Sequence, residues 1–421
     1  MSSSSSVRCT MGDAQALQIA RLGAQGDGVS DTESGPVFVP FALSGERVQA
    51  EVRGERGRLI AVMDASPDRI APVCRHFTHC GGCAVQHLRS PAYLAWKREM
   101  VAAAFAARGI YAPVSHVVSV GLGARRRAAF SARRTGRGVV LGFHEAKGVE
   151  IVDLAECPVT ASAIVRALPG LRRLVEPLMS RRAPGRVVVT LAANGLDVAI
   201  EDVPDKLTLE VREFLAVQSA ALKLARLTLA GDTVYQSTVP AVRFGTANVV
   251  LPARSFLQAA PVAEAEMVRL VTGAVGETKR VVDLFCGMGT FTFPLAQRAA
   301  VLAVDGDKQS VAALESAVKR TQGLKPIETK VRDLFREPLS VRELQGFEAA
   351  VFDPPRAGAA TQAAMLADSS VKTVVAVSCN PATLARDARI LIDGGFKLER
   401  VTPIDQFLYS PHIESVAVLR R

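Results

Sequence analysis

Cys379 stands in the stretch VVAVSCNPATLARD, residues 374–387, after a run of small branched side chains and just ahead of a proline-started helix. The apolar run reads as a buried parallel strand, Asn380-Pro381 breaks it, and ATLARD begins a helix. A cysteine there is neither packed inside the strand nor matched by a neighbouring cysteine. The positive end of the following helix is expected to lower its pKa below about 8.5 and favour the thiolate. Cys379 therefore reads as a nucleophile. A second group is VVDLFCGMGTF, where Gly287 and Gly289 follow a buried strand and let a ligand come close to the backbone. The dinucleotide fingerprint would need Gly or Ala at position 292, which is Thr292. Asp305 in VLAVDGD ends the next strand, where an acid can bind ribose hydroxyls, and Asp283, Asp333 and Asp353 fall at or near other strand ends. This pattern favours adenosylmethionine over a nicotinamide.

A thiolate beside a methyl donor has a specific use. Carbon 5 of a pyrimidine is too weak a nucleophile to take a methyl group, but thiolate addition at carbon 6 generates an enolate whose carbon 5 is competent. A base must then remove the carbon 5 proton. Glu414 in SPHIESVAVL begins a terminal strand beside the same cleft, although it reads equally well as an exposed strand-edge glutamate.

A third group is VCRHFTHCGGCAVQH, which spaces Cys74-x5-Cys80-x2-Cys83, with Cys157 far downstream in AECPVT. From spacing alone, zinc and an iron–sulfur cluster are both open, and His76 or His79 can compete as ligands. Cys157-Pro158 echoes the Cys-Pro of cluster ligands, and the CxxxCxxC triplet of radical enzymes is absent. Cys9 and Cys286 receive no role.

Three regions must position these groups. Residues 12–66 read as a small OB-like β-barrel built from QIARLG, PVFVPF, ERVQAEVRG and RLIAVMDA, with GAQGDGVSDTESG as its longest loop. Residues 67–250 read as a β-rich α+β region. It contains a helix over 91–108, with Ser90 as N-cap and Gly109 as stop, and a hairpin around Asn194-Gly195. Residues 251–421 alternate strand and helix and read as a doubly wound α/β domain, which binds ligands at the carboxyl ends of its strands. Two final strands joined by a loop supply the terminal antiparallel strand usual in class I methyltransferases.

Composition narrows the partner. The net charge is +10, and residues 121–186 hold 13 Lys and Arg against 5 Asp and Glu, so +8 lies in one segment. That concentration points to nucleic acid. In RRRAAFS, residues 125–131, strand alternation puts Arg125 and Arg127 on one face, where they are expected to grip RNA phosphates, and turns Arg126 toward the protein. No apolar run reaches the roughly 18 residues of a membrane span. The Ser-rich start reads as a disordered tail without secretory features, so a cytoplasmic monomer is expected.

Together, SFLQ, DLFCGMG, DPPRAG, SCNP and HIES resemble, in order and spacing, the bacterial RNA uridine-5-methyltransferase family, from about residue 12 to the C-terminus. The resemblance implies that Cys379 is the nucleophile and Glu414 the proton-abstracting base. It implies that Gln258, Phe285, Gly287, Thr290, Asp305, Asp333 and Asp353 contact adenosylmethionine, with Asp353 also near the target base. The family usually has Asn where Ala260 stands, commonly Asn at Thr290 and commonly Glu at Asp305. The N-terminal region resembles the TRAM module, which binds RNA. The resemblance further implies a [4Fe–4S] cluster on Cys74, Cys80, Cys83 and Cys157. Module and cysteines together look most like the branch acting on 23S ribosomal RNA; a tRNA uridine, RNA cytosine-5 methylation and a non-catalytic RNA-binding module are the alternatives.

Overall fold

The computed structural model describes residues 13–203 and 207–421. Cys9 and the Ser-rich start lie outside the described residues. Two compact units are formed, one from residues 13–78, 82–96 and 409–411, the other from residues 79–81, 97–203, 207–408 and 412–421.

The first unit contains a six-stranded sheet in the spatial order Asp13–Gln18, Arg47–Arg53, Arg56–Asp64, Gly35–Val39, Gly28–Thr32, Arg21–Leu22. Leu17, Ile19, Val37, Val39, Ala42, Val48 and Ala50 form its core. One expectation fails here. The stretch read as the longest loop holds the strand Gly28–Thr32, which pairs antiparallel with Gly35–Val39. Gly28 has the look of a turn residue, but the position is a close approach: a Cβ there would sit 2.8 Å from the carbonyl oxygen of Ala42.

The second unit contains two sheets. The first is six-stranded, in the order Asp232–Gln236, Leu224–Leu229, Gly195–Glu201, Gly185–Ala192, Arg127–Thr135, Gly138–Gly142. The expected hairpin at Asn194-Gly195 is present, and Gly195 takes a positive φ of 137°. One parallel pair, Gly195–Glu201 with Leu224–Leu229, is connected through the helix Leu209–Ala221. The helix Ser162–Val175 covers the sheet through Ile164, Leu168, Leu171 and Leu174, all at most 1% exposed.

The second sheet has eight strands in the order Ile327–Val331, Ala300–Asp305, Arg280–Leu284, Ala349–Phe352, Thr373–Ser378, Glu414–Arg420, Lys397–Asp405, Val118–Ser119. The first five are parallel, and Glu414–Arg420 runs antiparallel to both of its neighbours. Strands such as VVAV are buried on both faces, as parallel sheets flanked by helices require. Val101 and Phe105, from the helix Ser90–Ala106, pack into the core beside Val282, Phe352 and Ala417. Strand order reverses between Arg280–Leu284 and Ala349–Phe352, and the crevice outside the carboxyl ends at such a switch point is where ligands bind. No helix among the described residues is long and apolar enough to cross a membrane.

Candidate active site

The parallel strands deliver the candidate residues in a row across the carboxyl edge of the eight-stranded sheet. Asp305 ends one strand, Phe285 follows the next, then come Asp353 and Cys379, and Glu414 starts the antiparallel strand beyond. The chain turns sharply after Leu284: Phe285 has φ 57° and Gly287 φ 53°. A non-glycine residue held there is strained, and such strain is tolerated where a ligand site needs it. Asp305 stabilises the turn, because its Oδ2 accepts the Gly287 N–H at 2.8 Å and its Oδ1 accepts that of Asp307 at 2.7 Å. Phe285 packs against Phe335, with ring centroids 5.3 Å apart, and Phe335 is 48% exposed. Asp333 is exposed, and its Oδ1 accepts the Phe335 N–H at 3.0 Å. Phe335 therefore offers an aromatic face at the cofactor end, and it was not singled out in the sequence because nothing in DLFRE distinguishes it from a core residue.

Asp283, fully buried, accepts a hydrogen bond from Thr292 Oγ1 at 2.5 Å, and burial pushes its carboxyl up to about 7. The same residue that breaks the dinucleotide fingerprint thus supports the strand beneath the glycine turn. Thr290 is half-buried in that turn. Ala260 is fully buried and precedes the helix Pro261–Val275, without a side-chain cap.

Cys379 and Glu414 are brought together by register. Ser378 pairs with Ser415 in the antiparallel ladder, so the next step outward sets Cys379 against Glu414. Residues directly opposite in such a pair project to the same face. Glu414 is 3% exposed, so it is not the strand-edge surface residue that the sequence also allowed. The DPPRAG segment is locked to the helix Pro381–Asp393 that follows Cys379: the capping Asn380 Nδ2 donates to the Arg356 carbonyl at 3.2 Å, and the Ala359 N–H donates to Asp387 Oδ2 at 2.6 Å. Gly358 has φ 76°, a left-handed backbone that favours glycine, and a Cβ there would also meet Arg386, Asp387 and Thr383 at under 3 Å.

The ionisation of Cys379 departs from expectation. Its thiol is pushed up to about 11 rather than down, first by burial, then by the carboxylates of Glu414 and Asp353, with Arg356 opposing. The helix Pro381–Asp393 starts two residues later, and Asn380 Oδ1 already accepts the Ala382 N–H at 3.1 Å. Whatever the helix end contributes is outweighed by burial and by the two acids that Cys379 faces. Burial also raises the Asp353 and Glu414 carboxyls, and the Asp353 carboxylate raises Glu414 further.

Between these two acids lie two amides that link them. Gln258 Nε2 donates to Asp353 Oδ2 at 2.9 Å, and Gln406 Nε2 donates both to Gln258 Oε1 at 2.8 Å and to Glu414 Oε2 at 2.6 Å. Gln258 was expected at this cleft. Gln406 was not, because no sequence signal places IDQF opposite SFLQ, 148 residues away.

On the central sheet, Arg126 faces inward as expected: it is 8% exposed, pairs with Glu264 and donates from Nε to the Gln258 carbonyl at 3.0 Å. Arg125 and Arg127, on either side of it in sequence, are half-buried. Burial and the guanidinium of Arg186 lower the pKa of Arg127, whose Nε has no hydrogen-bond partner, and Arg125 lies 5.9 Å from the Phe407 ring centroid. A cavity of about 670 Å³ lies beyond the Arg126–Glu264 pair, but neither Cys379, Glu414 nor Asp353 lines it.

The cysteines expected to hold a cluster give a different result. Among the described residues, no group of three or more His, Cys, Asp or Glu side chains is arranged to hold a metal ion. Cys157 Sγ instead lies 3.2 Å from Thr160 Oγ1. The expected cluster is therefore not seen as a formed site. Cys286 is buried, and its thiol is raised far from reactivity.

Comparison with known proteins adds an independent line. The sequence profile of the tRNA (Uracil-5-)-methyltransferase family matches residues 245–421. An uncharacterized RNA methyltransferase of Brucella suis is 46% identical over 405 residues, covering 96% of this chain and 97% of that protein. The 23S rRNA (uracil(1939)-C(5))-methyltransferase RlmD of Halomonas elongata is 33% identical, covering 96% of this chain and 89% of that protein. The chain belongs to the RNA (uracil-5-)-methyltransferase family. Its fold matches that of the Pyrococcus abyssi tRNA (uracil-54, C5)-methyltransferase, solved with S-adenosyl-L-homocysteine, with a TM-score of 0.75 at 22% identity over 96% of this chain and 99% of that one. As a member of the RNA (uracil-5-)-methyltransferase family, the protein is an RNA methyltransferase.

Proposed function

We propose that the protein transfers a methyl group from adenosylmethionine to carbon 5 of one uridine in RNA, with 23S ribosomal RNA as its substrate. The observation that carries the reading is the register that sets Cys379 against Glu414 beside Asp353. Asp305, Asp333, Phe285, Gly287, Thr290, Gln258 and Asp353 would hold adenosylmethionine, which supplies the methyl group. Cys379 gives up its thiol proton to solvent as the base docks, then adds its sulfur to carbon 6 and makes carbon 5 nucleophilic. After methylation Glu414 takes the carbon 5 proton, the carbon–sulfur bond breaks, and the thiolate leaves. Ribosomal RNA is favoured by the Halomonas relative's substrate and by the N-terminal sheet, read as the RNA-binding TRAM module. Mass spectrometric mapping of RNA from a deletion strain should lose 5-methyluridine at one 23S position. Loss in transfer RNA would move the substrate, and loss of 5-methylcytidine would overturn the uridine reading.

The target base must leave its stack to reach Cys379, so the substrate is a loop or locally opened strand. Arg125 and Arg127 are proposed to hold its phosphates. Each contact contributes about 0.7 to the slope of log K against log salt for single-stranded RNA. Replacing both by Ala should weaken RNA binding and flatten that slope, leaving the free protein's adenosylmethionine affinity unchanged. An unchanged slope would make this segment a solvated face.

A [4Fe–4S] cluster on Cys74, Cys80, Cys83 and Cys157 is proposed from the cysteine spacing and the family resemblance, as a structural element through which no step of methyl transfer passes. Anaerobically purified protein should contain iron and acid-labile sulfide, both lost in Cys80→Ala or Cys157→Ala. Stoichiometric zinc without sulfide would refute the assignment.

A further inference from the structure

Gln406 follows the strand Lys397–Asp405 and is 3% exposed. Its Oε1 accepts the Ala259 N–H at 3.0 Å. A backbone N–H can only donate, so this contact settles which end of the carboxamide is oxygen. Both hydrogens on Nε2 are then committed, one to Glu414 Oε2 at 2.6 Å and one to Gln258 Oε1 at 2.8 Å. Gln258 in turn must present its own Nε2 to Asp353, at 2.9 Å. One main-chain donor thus sets the direction of a four-residue chain that ends in a carboxylate acceptor on each side.

We propose that Gln406 is a positioning residue for proton abstraction: its carboxamide holds Glu414 by Oε2 and leaves Oε1 to take the proton from carbon 5. This rests on the reading of Glu414 as the base. Two acids sharing a buried site oppose each other's ionisation, and a base that stays protonated cannot abstract. A donated hydrogen bond favours the ionised form, and Gln406 does lower the Glu414 pKa against the effects of burial and Asp353. A neutral amide provides this without adding a charge that would depress the base far below the working pH. Other groups bearing on the titration are Asp353 and Arg356 on the loop after Ala349–Phe352, Cys379 opposite, His412 on the preceding segment, and the buried Lys97–Asp405 pair, 2.9 Å apart, beside Gln406 in sequence.

The test is Gln406→Met, similar in length and without a donor, assayed with adenosylmethionine and RNA carrying tritium at uridine carbon 5. The first methyl transfer should persist at saturating adenosylmethionine, which offsets any loss of affinity from Gln258 and Ala259 losing a partner. Tritium release should slow about 10- to 100-fold, the acid limb of the turnover profile should move to higher pH, and a methylated covalent complex should build up. Gln406→Asn keeps an amide one methylene short and should show the same displacement in smaller measure. Wild-type tritium release and an unmoved acid limb in both variants would overturn the proposal, with Glu414→Gln as the reference. If Glu414→Gln traps the complex while the Gln406 variants behave as wild type, only the role of Gln406 fails. If Glu414→Gln does not trap it, the base is misassigned and the proposal falls with it.

Discussion

Cys379→Ala should bind adenosylmethionine normally yet fail to turn over RNA, with activity reduced by several orders of magnitude. The separation follows from the sheet. Phe285, Gly287, Asp305 and Asp333 lie on or after strands on the far side of Asp353, so removing one thiol at the end of Thr373–Ser378 leaves that end of the cleft unchanged. Without sulfur at carbon 6, carbon 5 has no enolate to attack with. RNA containing 5-fluorouridine should become covalently attached to the wild-type protein, because fluorine cannot be removed as a proton is, and should not attach to Cys379→Ala. Substantial methylation by the variant, measured by methyl incorporation, would eliminate the thiolate mechanism.

Glu414→Gln should stall at the opposite end of the reaction. Addition and methyl transfer proceed, but the carbon 5 proton stays, and a methylated covalent complex accumulates on denaturing gels. Net turnover should fall about 10²- to 10⁴-fold, the usual contribution of a positioned base. The variant carries a second, opposite signature. The Glu414 carboxylate raises the Cys379 pKa, so its removal must lower it and increase the thiolate fraction where Glu414 is ionised, above about pH 8 and below about 11. Iodoacetamide labelling of Cys379 should therefore be faster in the variant than in wild type, and its midpoint should shift to lower pH. The wild-type profile works the other way: Glu414 is raised above the usual carboxylate range, so activity should be lost as pH falls, beginning at higher pH than an ordinary carboxylate would give. Normal turnover in Glu414→Gln would mean that another group or water removes the proton.

Much of this site could be read from residue order alone, for a physical reason. Parallel strands place their carboxyl ends along one edge, so Asp305, Asp353 and Cys379, each ending or just following a buried run, had to fall in one row. The alternation of RRRAAFS likewise turned Arg126 inward, where it meets Glu264. What could not be read depends on distant registers. The opposition of Cys379 and Glu414 needs the antiparallel pairing of Ser378 with Ser415, and Gln406 becomes visible only once it lies against Gln258. The Cys379 ionisation was misjudged because helix position is local information, whereas its acidic neighbours come from two other strands. The strand at Gly28–Thr32 was missed because a glycine needed for tight packing against Ala42 has the same appearance as one in a turn.

Arg126 has a consequence for how the two substrates influence each other. Its N–H donates to the Ala259 carbonyl at 2.8 Å and its side chain to that of Gln258, while the half-buried Arg125 and Arg127 flank it in sequence, just before and at the start of the strand Arg127–Thr135. The segment proposed to meet RNA and the loop carrying Gln258 are thereby joined by two hydrogen bonds, a route by which binding at one would bear on the other. Binding linked in this way is reciprocal: whatever factor adenosylmethionine adds to RNA affinity, RNA must add to adenosylmethionine affinity. If that factor exceeds one, the methyl donor would be held more tightly with an RNA acceptor present, and the by-product, lacking only the methyl group, would share the tie until the RNA departs.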